Sequence, residues 1–525
     1  NTINARDDVT FDADSKSDVN SIAISVAGVV ATDGLGFGAA GSGSGNTVTN
    51  TVRARVGEGS NVTAGGDMTV SAEDTSDIRA DAGGVALAIA SGDSAAAIGA
   101  SVAINIVDAT VEAEIAESTV VADSIDVSAE GMPIVNALTI AGAVAGSNDS
   151  IAFGGAGAGS GNYVTSRVEA IILDSDVTTT VGDLSLTATD ASVINADAGS
   201  GAVAVAVGGD STQTAIAVGA AAAYNEVSST ARASIDDLDG VRDTVSVAGS
   251  ATLDATSTTD IDAFTLGLAG SLSAGSSDTA ISLAGAGSGS GNYIRNTIES
   301  SVNDTNLTTT TGNVELSAVD DSSITALAGS GSVSIAAGQG NTVGVGLGLS
   351  ITINDIENNI IAVVDDSDVD SGGDLTLTAS STAGIDSTAF GASLAVSASS
   401  GNTAVAVGAT GTGSGNRIAN TIRAGIEDSD LSTSETVAVD GLLAISASDD
   451  STIGSFGFAG AVSVAASASS TPVAGSIGVG VALNTIDNDV EAFITDVDDV
   501  NVDDGISIEA LSDSDITAQS WAAAV

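Results

Sequence analysis

The stretch Val343-Gly-Val-Gly-Leu-Gly-Leu-Ser-Ile-Thr-Ile-Asn-Asp-Ile-Glu-Asn-Asn-Ile-Ile-Ala-Val-Val364 decides the fold of this 525-residue chain. Val343, Val345, Leu347, Leu349, Ile351 and Ile353 occupy every second position, the period of a strand with one apolar face. After Asn354 the phase changes, because Ile356, Ile360 and Val364 carry the pattern on. A slip of one residue turns a strand inside out, so the change predicts a bulge or corner at Asn354. Asparagine suits such a place, since it tolerates left-handed backbone and bonds to neighbouring backbone groups.

Working outward, the same eleven-residue motif starts at Asn46, Asn105, Asn162, Asn225, Asn292, Asn354, Asn416 and Asn484. Its alternate positions read Val48, Asn50, Val52, Ala54 and Val56 at the first and Ile486, Asn488, Val490, Ala492 and Ile494 at the last. Successive starts lie 57 to 68 residues apart, the mark of a repeat protein whose neighbours stack in one dimension. The fold expected is all-β: a repetitive β-solenoid, right- or left-handed, or a closely related stack of β-layers, forming a rod of eight units of about 60 residues. Equivalent asparagines of stacked coils would then bond to one another as a ladder.

Within a unit, a Gly/Asp turn precedes a short strand such as Leu184-Ser-Leu-Thr-Ala188, with counterparts at Met68/Val70, Ile125/Val127, Val314/Leu316, Leu375/Leu377, Leu443/Ile445 and Ile506/Ile508. A second strand enters through Ile78, Val193, Ile261, Ile324, Ile385, Ile453 or Ile516, and a third, longer one leads to the asparagine. Units alternate in kind. Glycine-rich sequence precedes Asn162 and Asn292, while Val479, Val481 and Leu483 precede Asn484. Glycine allows close backbone approach, and a neighbour with larger side chains would fill the space. The chain therefore reads as one continuous array with paired units at 36–150, 151–279, 280–402 and 403–525.

Composition excludes several classes of function. The chain is 43% hydrophobic, too apolar for a disordered acidic polymer, yet only 2% aromatic, which demands a thin, close-packed core. The net charge of −57, from 68 acidic and 11 basic residues, speaks against nucleic acid and anionic membranes. No apolar run is long enough for a membrane helix, and a spanning barrel would need aromatic girdles that one Trp and three Tyr do not supply. Membrane insertion is not expected. With no His, no Cys and only Lys16 as lysine, the usual bases, nucleophiles and zinc ligands are missing, so no catalysis is expected. Acid pairs such as Asp236/Asp237, Asp365/Asp366 and Asp498/Asp499 recur at equivalent turns, whereas a polysaccharide-cleaving site needs one differentiated pair.

Calcium is the cofactor the acidic turns point to, although none is required. Asp366, Asp368 and Asp370 beside Gly372 and Gly373 offer hard oxygen ligands, as do Asn501, Asp503 and Asp504 beside Gly505. Neither set has EF-hand spacing. Stacked acidic corners about 5 Å apart would repel by roughly 0.8 kcal/mol even in water, so salt or calcium is expected to stabilise the fold.

Two segments carry a resemblance. Val479-Gly-Val-Ala-Leu-Asn-Thr-Ile-Asp-Asn-Asp-Val-Glu-Ala-Phe-Ile494, together with Gly372-Gly-Asp-Leu-Thr-Leu-Thr-Ala379, resembles the repeats of giant bacterial surface proteins related to filamentous haemagglutinin-type adhesins. The resemblance implies an exported, bacterial, extracellular or cell-surface rod segment of a filament or adhesin. The alternative is an adhesive module holding glycans or host cells through its repeated face, for which Tyr163 and Tyr293 are the hint. The GGxGxDxUx repeat of calcium-binding RTX proteins is absent. Both ends of the chain fall inside a unit, which leads to the expectation of further repeats or further copies end to end.

Register supplies a geometric test. Seven residues after each motif asparagine stand Arg53, Glu112, Glu169, Arg232, Glu299, Ile361, Arg423 and Glu491. If one unit makes one layer, opposite charges in this series face one another on the exposed outside of the rod.

Overall fold

The computed structural model describes all residues except 58, 210, 239, 241, 277, 278 and 429–435. Among the described residues the regular elements are β-strands, all paired in parallel across successive coils of a solenoid. Coil 2 shows the plan with strands Asn61–Thr63, Met68–Asp74, Asp77–Ala90 and Ala95–Ala116. Nine such layers stack, the ninth with three strands, so that each kind of strand builds its own sheet. Register is direct: Asn46 pairs with Asn105, Asn105 with Asn162, and so on to Asn416 with Asn484. One sequence unit is one coil.

Each coil has a body and a blade. In the body, the short strand, the seven-residue strand and the last third of the return strand close around Val, Ile and Leu, as with Val120, Leu184, Leu186, Ile235, Leu253 and Leu316. Beyond a neck held by Ile78, Ile194, Ile261 and their return-strand partners Val107, Val227 and Ile294, the two long strands run out together and back. Every buried hydrophobic residue in the blade's own cluster is alanine. Glycines complete this thin interior: a Cβ on Gly267 would lie 2.0 Å from the Gly287 carbonyl oxygen of the opposite sheet, and one on Gly99 2.1 Å from that of Gly142.

Alternation therefore points the large residues outward in the blade. Leu347, Leu349, Ile351 and Ile353 are 39–52% exposed, while Gly344, Gly346, Gly348 and Ser350 face in. After Asn354 the side chains that face in are Ile356, Ile360 and Val364, each fully buried. The phase change seen in the sequence is thus a change in which residue size faces inward, and it needs no bulge.

The structural corner expected at the eight asparagines is accordingly corrected. Asn46, Asn105, Asn162 and Asn225 lie inside uninterrupted strands, and Asn292, Asn354, Asn416 and Asn484 lie two residues before a strand ends. The left-handed corner comes twelve residues later, at Glu117, Asp174, Asp304, Asp366 and Asp496, with φ between 45° and 60°. Between that corner and the seven-residue strand runs the short strand, such as Asp176–Thr179, whose inward pair Val177 and Thr179 includes one apolar residue and gave little periodic signal.

Candidate functional site

Charge and apolar surface are sorted to opposite ends of every coil. The blade segments, for example 83–90 with 95–105 in coil 2 and 458–467 with 473–484 in coil 8, contain no Asp, Glu, Lys or Arg, although the tip turns carry acids such as Asp33, Asp93 and Asp149. The acids sit on the body and in the turns. No helix among the described residues is long and apolar enough to cross a membrane.

The charge series marked by register meets as direct stacking requires. Arg53 pairs with Glu112, Arg232 with Glu299 at 3.3 Å and Arg423 with Glu491 at 3.3 Å. Their surroundings differ from the exposed setting expected, because Glu112 and Glu169 are only 8% and 4% exposed. Arg53, Arg55, Arg167 and Arg232 lie alongside Glu112, Glu114, Glu169 and Asp236 in one slot of about 290 Å³, and the long guanidinium side chains screen the acids from water. Burial pushes the Glu169 carboxyl up despite Arg167 at 2.7 Å. Asp236, of the pair Asp236/Asp237, is likewise raised by burial although it accepts from Arg232, Ser234 and Asn303.

Inside the neck the motif asparagines form one unbroken ladder. Each Nδ2 donates to the next Oδ1, at 3.0 Å from Asn46 to Asn105, 2.9 Å to Asn162, 2.8 Å to Asn225 and Asn292, and 2.7 Å to Asn354, Asn416 and Asn484. All but the terminal members are nearly fully buried, so each amide replaces water with its neighbours. A second asparagine four residues on works differently: Asn296, Asn358, Asn420 and Asn488 accept the backbone N–H of the preceding coil, bridging the break in the return strand.

A third column lies at the end of the seven-residue strand. In register it reads Ser15, Asp74, Gly131, Asp190, Ser257, Asp320, Ser381, Asp449 and Ser512. The carboxylates are buried and come every second coil, which keeps like charges about 10 Å apart instead of about 5 Å. Ser322, Ser381 and Asn358 donate to Asp320, and Ser192 to Asp190. Burial nonetheless raises both carboxyls from their ordinary value.

The cation candidates are distributed otherwise than the sequence implied. Asp366 is a left-handed corner, whereas Asp368 and Asp370 stand on the short strand Asp368–Ser371. Arg242 occupies Asp368 at 3.1 Å, together with Asp304 at 3.3 Å and the Asp366 carbonyl at 2.6 Å. Asn501 lies on strand Asp499–Val502 of coil 9, and Asp503 and Asp504 are exposed in the turn after it. Among the described residues, the acids whose ligand atoms do converge, within 4.8 Å, are Asp174, Asp237 and Asp243. They flank the insertion of coil 4, and part of their carboxylate capacity serves backbone N–H groups of Leu238, Gly240 and Asp243. The sequence hid this group because Asp174 comes from the preceding coil.

On the outer face of the return sheet, Tyr224 completes a ladder with Tyr163 and Tyr293, with ring centroids 5.5 and 5.4 Å apart. Burial and the Glu226 carboxylate it donates to push the Tyr224 phenol up to about 12. Comparison of the chain with family models, with curated proteins and with solved structures yields no match.

Proposed function

We propose that this chain is a structural rod segment of an extracellular filament or cell-surface adhesin. The observation that carries the reading is the direct stacking of one unit per coil, locked by the asparagine ladder. Such a stack adds coils without changing its cross-section, because any two successive coils are joined by the same parallel pairing. The acidic body suits a surface exposed to solvent, and the surface-protein resemblance of its repeats agrees with export. Purified chain should appear as rods in electron micrographs, with an axial repeat of about 4.8 Å in fibre diffraction, and immunolabelling of intact source cells should mark their surface. Globular particles, or label found only inside broken cells, would overturn the reading.

A second reading, a shaft that itself holds glycans, draws on the Tyr163–Tyr224–Tyr293 ladder, since stacked exposed rings suit the apolar faces of sugars. Binding to a glycan array that is lost in Tyr224→Ala supports it, and an array with no binding rejects it. Calcium belongs to both readings as a stabilising ion at Asp174, Asp237 and Asp243. A thermal midpoint lowered by EDTA and restored by micromolar calcium supports a specific site, whereas restoration by sodium chloride alone supports screening.

A further inference from the structure

The outer face of the return sheet is built as a washboard. Coils 2, 6 and 8 present bulky residues, such as Val102 and Ile104, Leu347 and Leu349, and Val479 and Val481, and coil 4 presents Val218 and Tyr224 on either side of Ala220 and Ala222. Between them the coils with glycine-rich sequence present Gly41 and Gly43, Gly157 and Gly159, Gly285 and Gly287, and Gly413 and Gly415. Ridges thus repeat every second coil, about 10 Å apart.

These outward glycines are unlike those inside the blade. A Cβ on Gly41, Gly43, Gly157, Gly285, Gly287 or Gly415 would meet nothing within 4 Å, and none of them has positive φ. Neither sterics nor backbone conformation within this chain requires glycine there. The troughs they leave are open apolar space, about 520 Å³ where coils 4 to 8 meet.

Size and charge say what fits. Strands of about eleven uncharged residues and eight return strands make a face of roughly 35 by 38 Å, on the order of 1,300 Å². That exceeds the roughly 800 Å² per partner of a stable protein pair and the largest apolar patch of an ordinary monomer, about 300–600 Å². The face itself carries no charge, so two copies can meet there without burying a charged side chain.

We propose that this face pairs with the same face of a second, antiparallel copy. A two-fold axis along the strand direction, between coils 4 and 5, sets coil 2 opposite coil 7, coil 4 opposite 5, coil 6 opposite 3 and coil 8 opposite 1. Val102 then faces Gly413, Val218 faces Gly285, Leu349 faces Gly157 and Val479 faces Gly41, while at the blade tip Ile216 faces Leu283 and Phe153 faces Val345. A parallel pair in register would set ridge on ridge. The inference goes beyond the axial rod, because it joins rods side by side.

The chain has no cysteine, so Val102→Cys combined with Gly413→Cys makes a clean test. The two sites share one register column but lie five coils apart, roughly 24 Å, and cannot close a disulfide within one chain. Mild oxidation is expected to give a covalent dimer, with neither single variant cross-linking comparably. Separately, Gly285→Leu with Gly287→Leu fills a trough at positions where an added Cβ meets nothing within 4 Å of its own chain. It should leave the thermal midpoint of the monomer in place and weaken the dimer at least 10-fold in sedimentation equilibrium. End-to-end assembly alone would sediment as oligomers yet show no cross-link and no response to the trough variant. Unchanged or tighter association of the trough variant overturns the proposal. So does flotation of monomeric chain with phosphatidylcholine vesicles, which would make lipid the occupant.

Discussion

Body and blade use the same alternation of strand residues to opposite ends. In the body, Leu253 and Leu316 face in and the acids face out except for the buried column of Asp74, Asp190, Asp320 and Asp449; in the blade, alanine and glycine face in, and Leu349 and Ile351 face out. The difference teaches that period two specifies a strand but not which face is the core. Sheet separation decides that, since a blade whose sheets meet over glycine has no room for leucine.

Truncating the same residue type in the two regions gives the widest contrast. Leu316→Ala should destabilise by about 2–5 kcal/mol through the cavity it leaves, whereas Leu349→Ala in dilute monomer should change stability by less than about 0.5 kcal/mol. Denaturant titration of both variants checks this, and equal losses would erase the distinction between body and blade. Adding volume sharpens it next. Gly267→Val must part the blade sheets and should cost about 1–3 kcal/mol or more, while Gly285→Val, facing open space, should be near neutral.

The boundary between the regions is the asparagine ladder. Asn225→Leu strands the Asn162 donor and the Asn292 acceptor in a dry neck, for an expected loss of about 1–3 kcal/mol, with hydrogen exchange accelerating at the neck of coils 3 to 5. The smallest effect belongs to the buried carboxylates. Asp190 and Asp320 have raised folded-state pKa values, so their protonated forms favour the fold. That contribution is complete below the unfolded carboxyl value of about 3.9 and is lost as pH rises through the folded value. The thermal midpoint should therefore rise as pH falls from 7 towards about 4, and Asp320→Asn should flatten the rise. A midpoint that falls over this range would contradict the assignment.

The repeat, the all-β class and the alternation of paired units were legible in the sequence because each depends on spacing, which direct stacking preserves; that one unit makes one layer was an open condition that the structure meets. The marker of the period survives in space as glycine against bulky ridge on the blade, and the structure adds a second one in the body, where serine or glycine alternates with Asp190 and Asp320. The motif asparagines were equally visible. Their place was not, since Asn354 sits where the inward residues change from small to large, and a change of size looks in sequence like a change of register.

What the sequence determined by itself was every contact between equivalent residues of successive coils, fixed once the unit length is known. What only the tertiary structure decided was everything across a coil: which face is inside, that Asp174 meets Asp237 and Asp243, that Arg242 spans to Asp304 and Asp368, and that Glu169 is sheltered. Those relations depend on where the chain turns. The turns are set by single residues such as Asp174 and Asp304 in left-handed conformation, which carry no period to read.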